Sequence, residues 1–335
     1  MKNINIAFCF DNNQWMQAGV AITSLLTSAL GKCAYNIYAF IAPNVNDVAQ
    51  NEIAQIVKNL DKKSKIEFIN VGKSFDKGFT SRYLSTATYF RLLIATLLPK
   101  IDKIIYADVD LLFQGDLLEM DKISLGKNIL AGAKDNLNLK AGVNAPHGAK
   151  KYWQKYGLNF ATHAYINAGV LIMNLAEIRK EKLEKKWLSL ISENFAYHDQ
   201  DILNITCQGK VKYIAPEYNA MVLYFKNKHS GWEAMCRKGL ISNTEYENVL
   251  KSPKIVHFVG EKPWNTKTNF FDLWWFYASL TKFYATLQMQ YLDKNLLSGK
   301  TYYLFGKIPF ARKSMYNNKI KYYLFGICIL KTEIK

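Results

Sequence analysis

Apolar and polar positions in the first hundred residues keep changing period. Residues 3–10 form an apolar run closed by Asp11-Asn12-Asn13, which reads as a strand with a turn and helix cap beyond it. Residues 15–30 carry apolar side chains at helical spacing up to Gly31, a natural place for a helix to stop. A second strand is predicted over 35–42, closed by Pro43, then a helix over 46–60 and a third strand over 65–71. Beyond a polar, glycine-containing loop at 75–81, residues 86–98 read as a helix ended by Pro99. Residues 104–107, Ile-Ile-Tyr-Ala, are an unbroken apolar run, as in a strand whose sheet is covered on both faces.

Strand, helix, strand, helix, strand predicts a parallel sheet with crossovers, so the chain begins like a nucleotide-binding half of Rossmann type. No Gly-x-Gly-x-x-Gly follows the first strand, which disfavours a dinucleotide. Further strands are expected at 128–134 and 165–175, helices at 177–192 and 198–206, and a last strand at 254–259. Between them, residues 136–163 are irregular and rich in Lys, Asn and Gly, with one Trp, more like a binding loop than filler.

Composition narrows the class. Half of the 335 residues are apolar and 21% charged, a globular balance. The net charge of +17 calls for an anionic partner: nucleic acid, anionic lipid or a phosphorylated substrate. Five scattered cysteines without a Cys-x-x-Cys pair argue for a reducing compartment and against a structural zinc site. No signal peptide or spanning segment is read, so a cytoplasmic protein is expected. From residue 285 onward nine basic residues face two acidic ones, and Tyr-Tyr-Leu-Phe-Gly at 302–306 recurs at 322–326. Lysines interleaved with aromatics suit an anionic membrane surface, so residues 265–335 are expected to be a helical tail that holds the chain to the inner face of the cytoplasmic membrane. Nucleic-acid motifs are missing, and a nucleic-acid partner is not expected.

The candidate chemistry starts at Asp108 and Asp110. Side chains two apart on an extended segment emerge on one side, so both carboxylates lie beyond the carboxyl end of the predicted strand while Val109 points away. Ligands of open α/β sheets sit there, and two hard oxygen donors suit a divalent cation able to hold a diphosphate. Acids so spaced also close ordinary solvated turns.

Three further pieces accompany them: Tyr-Ile-Asn-Ala-Gly-Val at 165–170, His-Asp-Gln-Asp-Ile-Leu-Asn at 198–204, and His-Phe-Val-Gly-Glu-Lys-Pro-Trp at 257–264. In that order and spacing the four resemble glycosyltransferase family 8, retaining sugar transferases that include bacterial lipopolysaccharide galactosyl- and glucosyltransferases and glycogenin. The resemblance covers residues 3 to about 264. It implies a GT-A type α/β domain over 1–264 with a mixed central sheet, residues 1–113 forming the Rossmann-like nucleotide-binding half. It also implies that Asp108, Asp110 and His257 hold Mn²⁺, a donor set of carboxylates and imidazole that suits this ion. Cys9, Asp11, Asn13 and Val109 would receive the nucleotide of a UDP-sugar, and Arg82 and Arg91 would reach the donor. Asn167, Ala168 and Gly169 would line the sugar, with Asp135, Asp199 and Gln200 as the catalytic-site groups. Gly260 and Lys262 would touch the diphosphate, although one residue separates them here where the family has two.

The activity implied is transfer of galactose or glucose from a UDP-hexose to an oligosaccharide or glycolipid acceptor of lipopolysaccharide or lipooligosaccharide core type. A double displacement needs a carboxylate beneath the anomeric carbon; the matching position is Gln200, a poor nucleophile, so a front-face substitution assisted by the departing phosphate is expected. Local readings remain for single residues: His257 as a core histidine, Asn167-Ala168-Gly169 as a bulge, Asp199 as a helix N-cap. Two whole-chain alternatives also stand. A haloacid-dehalogenase-type phosphatase uses Asp-x-Asp, but expects Thr or Val where this chain has Leu112. A non-enzymatic basic module for membrane or nucleic acid would fit the charge alone.

Overall fold

The computed structural model describes residues 2–72, 75, 86–137, 149–226, 228–296, 301–304, 308–316, 319–324 and 327–333. Most of the expected loop at 75–81, Arg82 and the middle of the 136–163 insertion lie outside them. The chain divides into two compact units, Met1–Gly260 and Glu261–Lys335.

In the first unit, β1 (Asn3–Phe10), β2 (Ala34–Ile41), β3 (Lys65–Asn70) and β4 (Lys103–Ala107) pair in parallel, in the order β3-β2-β1-β4. Helix α1 (Trp15–Ser28) crosses from β1 to β2, and α2 (Asp47–Leu60) from β2 to β3. Every residue of α1 from Met16 to Leu26 is buried, as expected where a helix has apolar or small residues all round. The α2 start is fixed locally: the Asn46 side chain accepts from the Ala49 amide at 2.9 Å. At the start of α1 the Asp11 carboxylate instead accepts from the nearby Asn13 amide at 2.8 Å, forming a turn rather than the expected cap.

The sheet then changes direction. After β5 (Leu111–Phe113) and β6 (Leu130–Lys134), β7 (Ile166–Asn174) enters antiparallel between β4 and β6, and β8 (Val211–Tyr213) closes the far edge parallel to β6. The result is the expected mixed sheet. A second, small sheet joins β5 to β10 (Ile255–His257) and β9 (Ala220–Met221). Its antiparallel register sets His257 opposite Leu111, the residue after Asp110, so one strand pairing carries the histidine across some 150 positions of sequence to the acids.

Two predicted helices take other forms. Residues Thr86–Leu93 wind as a 3-10 helix before a short α-helical turn, Ile94–Leu97; with three residues per turn, Thr88 and Arg91 stack on one face. The helix expected over 177–192 is two helices, Leu175–Lys180 and Leu183–Leu188, broken where Lys182 takes a left-handed backbone, φ +54°.

The second unit corrects the expectation of a helical tail. Helices Phe271–Ser279 and Tyr284–Leu296 are present, but β11 (Thr301–Leu304), β12 (Ile308–Tyr316), β13 (Lys319–Leu324) and β14 (Ile327–Glu333) follow as an antiparallel sheet. The strand at 254–259 is therefore not the last. The duplication is a repeat of strands: each Tyr-Tyr-Leu ends one, and the register shifts between the two tyrosines in both copies, Tyr302/Tyr303 and Tyr322/Tyr323. Aromatic and β-branched residues favour strands over helix. Among the described residues no helix is long and apolar enough to cross a membrane.

Candidate active site

Asp108 and Asp110 leave the carboxyl end of β4. The Asp108 amide donates to the Gly169 carbonyl at 2.8 Å, and the Asp110 carbonyl accepts from the Phe258 amide at 2.9 Å, so β7 and the end of β10 both clasp the acidic segment. His257 Nε2 lies 3.2 Å from Asp110 Oδ1 and 3.9 Å from Asp108 Oδ2. One ligand atom from each of the three residues falls within 4.8 Å of the others. His257 is therefore not merely a core histidine: its Nδ1 is engaged by Asn219 Oδ1 at 2.8 Å while Nε2 faces two carboxylates. An imidazole held by one nitrogen and presenting the other beside two acids is the arrangement a divalent cation requires, so the donor set fits a metal.

The register of β7 against β6 shifts at Asn167-Ala168-Gly169, as a bulge would, and packing makes the glycine necessary there. A Cβ there would lie 2.1 Å from His257 Cε1 and 2.9 Å from Asp108 Oδ2, so no larger residue lets ring and backbone approach this closely.

Behind the acids, Arg91 ties several parts together. Its guanidinium is 2.8 Å from Asp108 Oδ1 and 3.0 Å from Asp199 Oδ2, donates to the Ala168 carbonyl at 2.6 Å, and lies 4.3 Å from the centre of the Tyr106 ring. The Tyr106 hydroxyl also donates to Asp108 Oδ1, at 2.6 Å. Asp108 thus spends one oxygen on Arg91 and Tyr106 and turns the other toward His257. Asp199 accepts from the Thr88 hydroxyl on its second oxygen. Burial pushes its carboxyl up to about 6, against the opposing pull of Arg91 and Thr88. Asp199 does not cap its helix, His198–Thr206; Tyr197 stands at that position.

Beside this cluster is a cavity of about 270 Å³ whose lining includes Arg91, Asp108, Asp135, Asn167, Ala168, Gly169, Asp199 and Gln200. Gln200 Oε1 accepts from the Ala168 amide at 2.9 Å and from Asn167 Nδ2 at 3.2 Å. Asp135 accepts from the Tyr224 hydroxyl at 2.8 Å, the Leu137 amide at 3.0 Å and Asn167 Nδ2 at 3.3 Å. The structure therefore gathers nine of the residues singled out in the sequence, Asp108, Asp110, His257, Arg91, Asn167, Ala168, Gly169, Asp199 and Gln200, and holds Asp135 against them.

The remaining described ones do not line the cavity. Cys9, Asp11 and Asn13 stand at the end of β1, whose Phe8 pairs with Ala107, but neither they nor Val109 line the cavity. The Cys9 thiol and Val109 are buried, and burial pushes that thiol far up. Gly260, left-handed at φ +85°, ends the first unit. Lys262 belongs to the second unit, where its carbonyl accepts from the Asn265 and Thr266 amides.

Sequence reasoning passed over Thr88, Tyr106, Asn219 and Tyr224. Two of them carried a local signal: Tyr106 is two before Asp108 on the same strand face, and Thr88 is three before Arg91 on a 3-10 turn. Asn219 and Tyr224 carried none.

The family model of Glycosyl transferase family 8 matches residues 5–268. A putative glycosyltransferase of Haemophilus influenzae is 30% identical over 223 residues, 65% of this chain but less than two thirds, 63%, of that protein. The lipopolysaccharide 1,3-galactosyltransferase of Salmonella typhimurium is 23% identical, covering 89% of this chain and 87% of that one. A lipopolysaccharide 1,2-glucosyltransferase of Escherichia coli K12 is 25% identical over 78% of this chain and 73% of its own. Among solved structures, the WbbM bifunctional glycosyltransferase superposes with a TM-score of 0.72 at 21% identity, over 86% of this chain and 52% of that one. The galactosyltransferase LgtC, in complex with donor and acceptor sugar analogs, gives 0.68 at 24% identity, over 83% and 96%. At these identities the likeness is one of fold, and the fold is of GT-A type. Neither the phosphatase nor the binding-module alternative is favoured by these matches.

Proposed function

The chain belongs to glycosyltransferase family 8, and from that premise we propose that it is a configuration-retaining hexosyltransferase moving galactose or glucose from a UDP-sugar to a lipopolysaccharide or lipooligosaccharide core acceptor. The acceptor class rests on the lipopolysaccharide galactosyl- and glucosyltransferases to which the chain is similar. The observation that carries the reading is the convergence of Asp108, Asp110 and His257 at the rim of a cavity walled by hydrogen-bonding side chains.

In this reading Asp108, Asp110 and His257 hold Mn²⁺, which supplies a positive charge for the diphosphate and for the oxygen on which charge develops as the anomeric bond breaks. Arg91 bridges Asp108 and Asp199. Asn167, Ala168, Gly169, Asp199 and Gln200 surround the hexose, and Asp135 holds the Asn167 amide in place. Cys9, Asp11, Asn13, Val109 and Arg82 receive the nucleotide, and Gly260 and Lys262 the diphosphate.

A front-face substitution has support from the acids themselves. Both oxygens of Asp199 are engaged, by Thr88 and Arg91. Those of Asp201 accept from the Trp153 indole, the Tyr165 and Tyr152 hydroxyls and the Tyr197 amide, all at 2.7–2.8 Å. Neither is free to attack carbon, and Gln200 is an amide. Trapping a glycosyl ester on either aspartate of the unmodified enzyme would overturn this mechanism.

The proposal places the chain on the cytoplasmic side, with its basic second unit against anionic lipid. Phe276, Leu280, Met289 and Leu292 are exposed there. Co-sedimentation with phosphatidylglycerol vesicles tests this, and equal binding by a chain ending near residue 264 would remove it. The activity is tested by offering UDP-galactose and UDP-glucose with Mn²⁺ and with a chelator. Metal-dependent UDP release from one of them is expected, and release from neither would discard the proposal.

A further inference from the structure

Asn219 touches none of the groups the family resemblance named except through its two amide atoms, and it is fully buried. It ends the 3-10 turn Pro216–Asn219, immediately before β9. Its amide lies between Asn167 and His257: Nδ2 donates to Asn167 Oδ1 at 2.9 Å, and Oδ1 meets His257 Nδ1 at 2.8 Å.

The orientation of every group in this line follows from one backbone donor. The Gly169 amide can only donate, and it donates to Asn167 at 2.9 Å, so the Asn167 atom it meets is the oxygen. Asn167's nitrogen then points at the Asp135 carboxylate and the Gln200 oxygen, both acceptors, which agrees. The Asn219 atom facing Asn167 Oδ1 must accordingly be its nitrogen. What remains toward His257 is the Asn219 oxygen, which can only accept. Nδ1 of His257 must therefore carry a hydrogen, and in the neutral ring the lone pair is left on Nε2, the atom facing Asp110 and Asp108.

We infer that Asn219 is a positioning residue that fixes His257 in the Nδ1–H tautomer and so aims its Nε2 lone pair at the metal position between the two aspartates. The inference rests on the metal reading proposed above. Gly169 and Asn219 divide the work: the glycine backbone sets where the ring plane lies, and the amide sets which nitrogen keeps the proton. A metal-ligating histidine needs both, because a ring in the right place with its proton on Nε2 cannot donate to a cation.

The test uses the full chain with ¹⁵N-labelled histidine. Long-range ¹H–¹⁵N correlation spectra of the metal-free protein, at a pH high enough for neutral imidazole and with the His257 signals identified by loss in His257→Gln, read the tautomer directly. Mn²⁺ affinity is measured separately by electron paramagnetic resonance, without donor sugar. In the wild type the Nδ1–H form is expected. In Asn219→Ala the Nε2–H form should appear and Mn²⁺ affinity fall by about 10- to 100-fold. Asn219→Asp keeps an acceptor for Nδ1–H while losing the link to Asn167, so it should retain the wild-type tautomer and restore most of the affinity. This rescue separates aiming from bulk structural damage, which both variants would share. An unchanged tautomer and unchanged Mn²⁺ affinity in Asn219→Ala would overturn the inference, as would an Asp variant that behaves like Ala. A wild type in the Nδ1–H form that binds no Mn²⁺ would instead strike the metal reading, and with it the purpose assigned to Asn219.

Discussion

The chain contains two Asp-x-Asp pairs in the first unit, and they have opposite fates. Asp108 and Asp110 follow a strand, where alternate side chains share a side, and both converge with His257 within 4.8 Å. Asp199 and Asp201 have the same spacing but stand in the first turn of a helix, where two residues subtend about 200°. They point apart. Asp199 turns to Arg91 and Thr88 at the cavity wall. Asp201 turns inward to three aromatic donors and an amide, and pins the helix Ala149–Lys155 and the start of β7 to its own helix. An acidic pair thus has no chemical meaning until the backbone under it is known. The strand brings two carboxylates together with an imidazole; the helix makes one wall residue and one structural anchor.

The contrast can be broken at either pair. Asp110→Ala should lower transfer by at least about 10³-fold, because an electrostatic partner at the point of charge development is lost, while circular dichroism and the melting temperature stay near wild type. A near-normal rate would refute the metal role of the first pair. Gly169→Ala should cost about 10²-fold in kcat/KM, since a Cβ placed 2.1 Å from the His257 ring must displace it; unchanged kinetics would mean that the ring tolerates another position. Asp201→Asn should act on stability instead. Four donors lose a charged acceptor, a loss of about 2 kcal/mol in urea unfolding, with the folded fraction still active; an activity loss without destabilisation would make Asp201 catalytic.

The smallest effect concerns pH. Burial raises the Asp199 carboxyl from 3.8 to about 6 in the folded chain. For a group raised on folding, its contribution to stability is fully present below the unfolded value and is lost as pH rises through the folded one. The melting temperature of the wild type relative to Asp199→Asn should therefore fall as pH goes from 4 to 7, most steeply between about 4 and 6 and levelling off above 6. A difference independent of pH over that range would contradict the assigned burial cost.

How much of this the sequence made legible varies with the distance over which each residue acts. The strands and helices from 3 to 71 were read within a few residues, because their periods are local and their caps and breakers lie beside them. Asp108 and Asp110 announced themselves through a strand directly before them. The tail was misread because aromatic and basic residues at mixed spacing satisfy an interfacial helix and a β-hairpin equally well, and register is set only when strands pair. Lys182 broke a helix that its periodicity gave no reason to interrupt. Arg91 was identified by resemblance, but its joint hold on Asp108, Asp199 and Ala168 depends on a 3-10 winding that helical periodicity does not distinguish.

Local chemistry along the chain was enough to determine the alternation of elements, the parallel first half of the sheet, the acidic pair and the family, since each depends on neighbours within a few positions or on motifs in fixed order. Only the tertiary structure decided that His257 reaches the acids, through the pairing of β10 with β5. It alone decided that Asp201 anchors aromatic side chains while Asp199 lines the cavity, and that an asparagine with no motif around it orients the histidine. Those outcomes depend on which atoms meet across 30 to 150 residues of chain, and the direction of a hydrogen bond or the closeness of a ring to a glycine is settled only when both partners are in place.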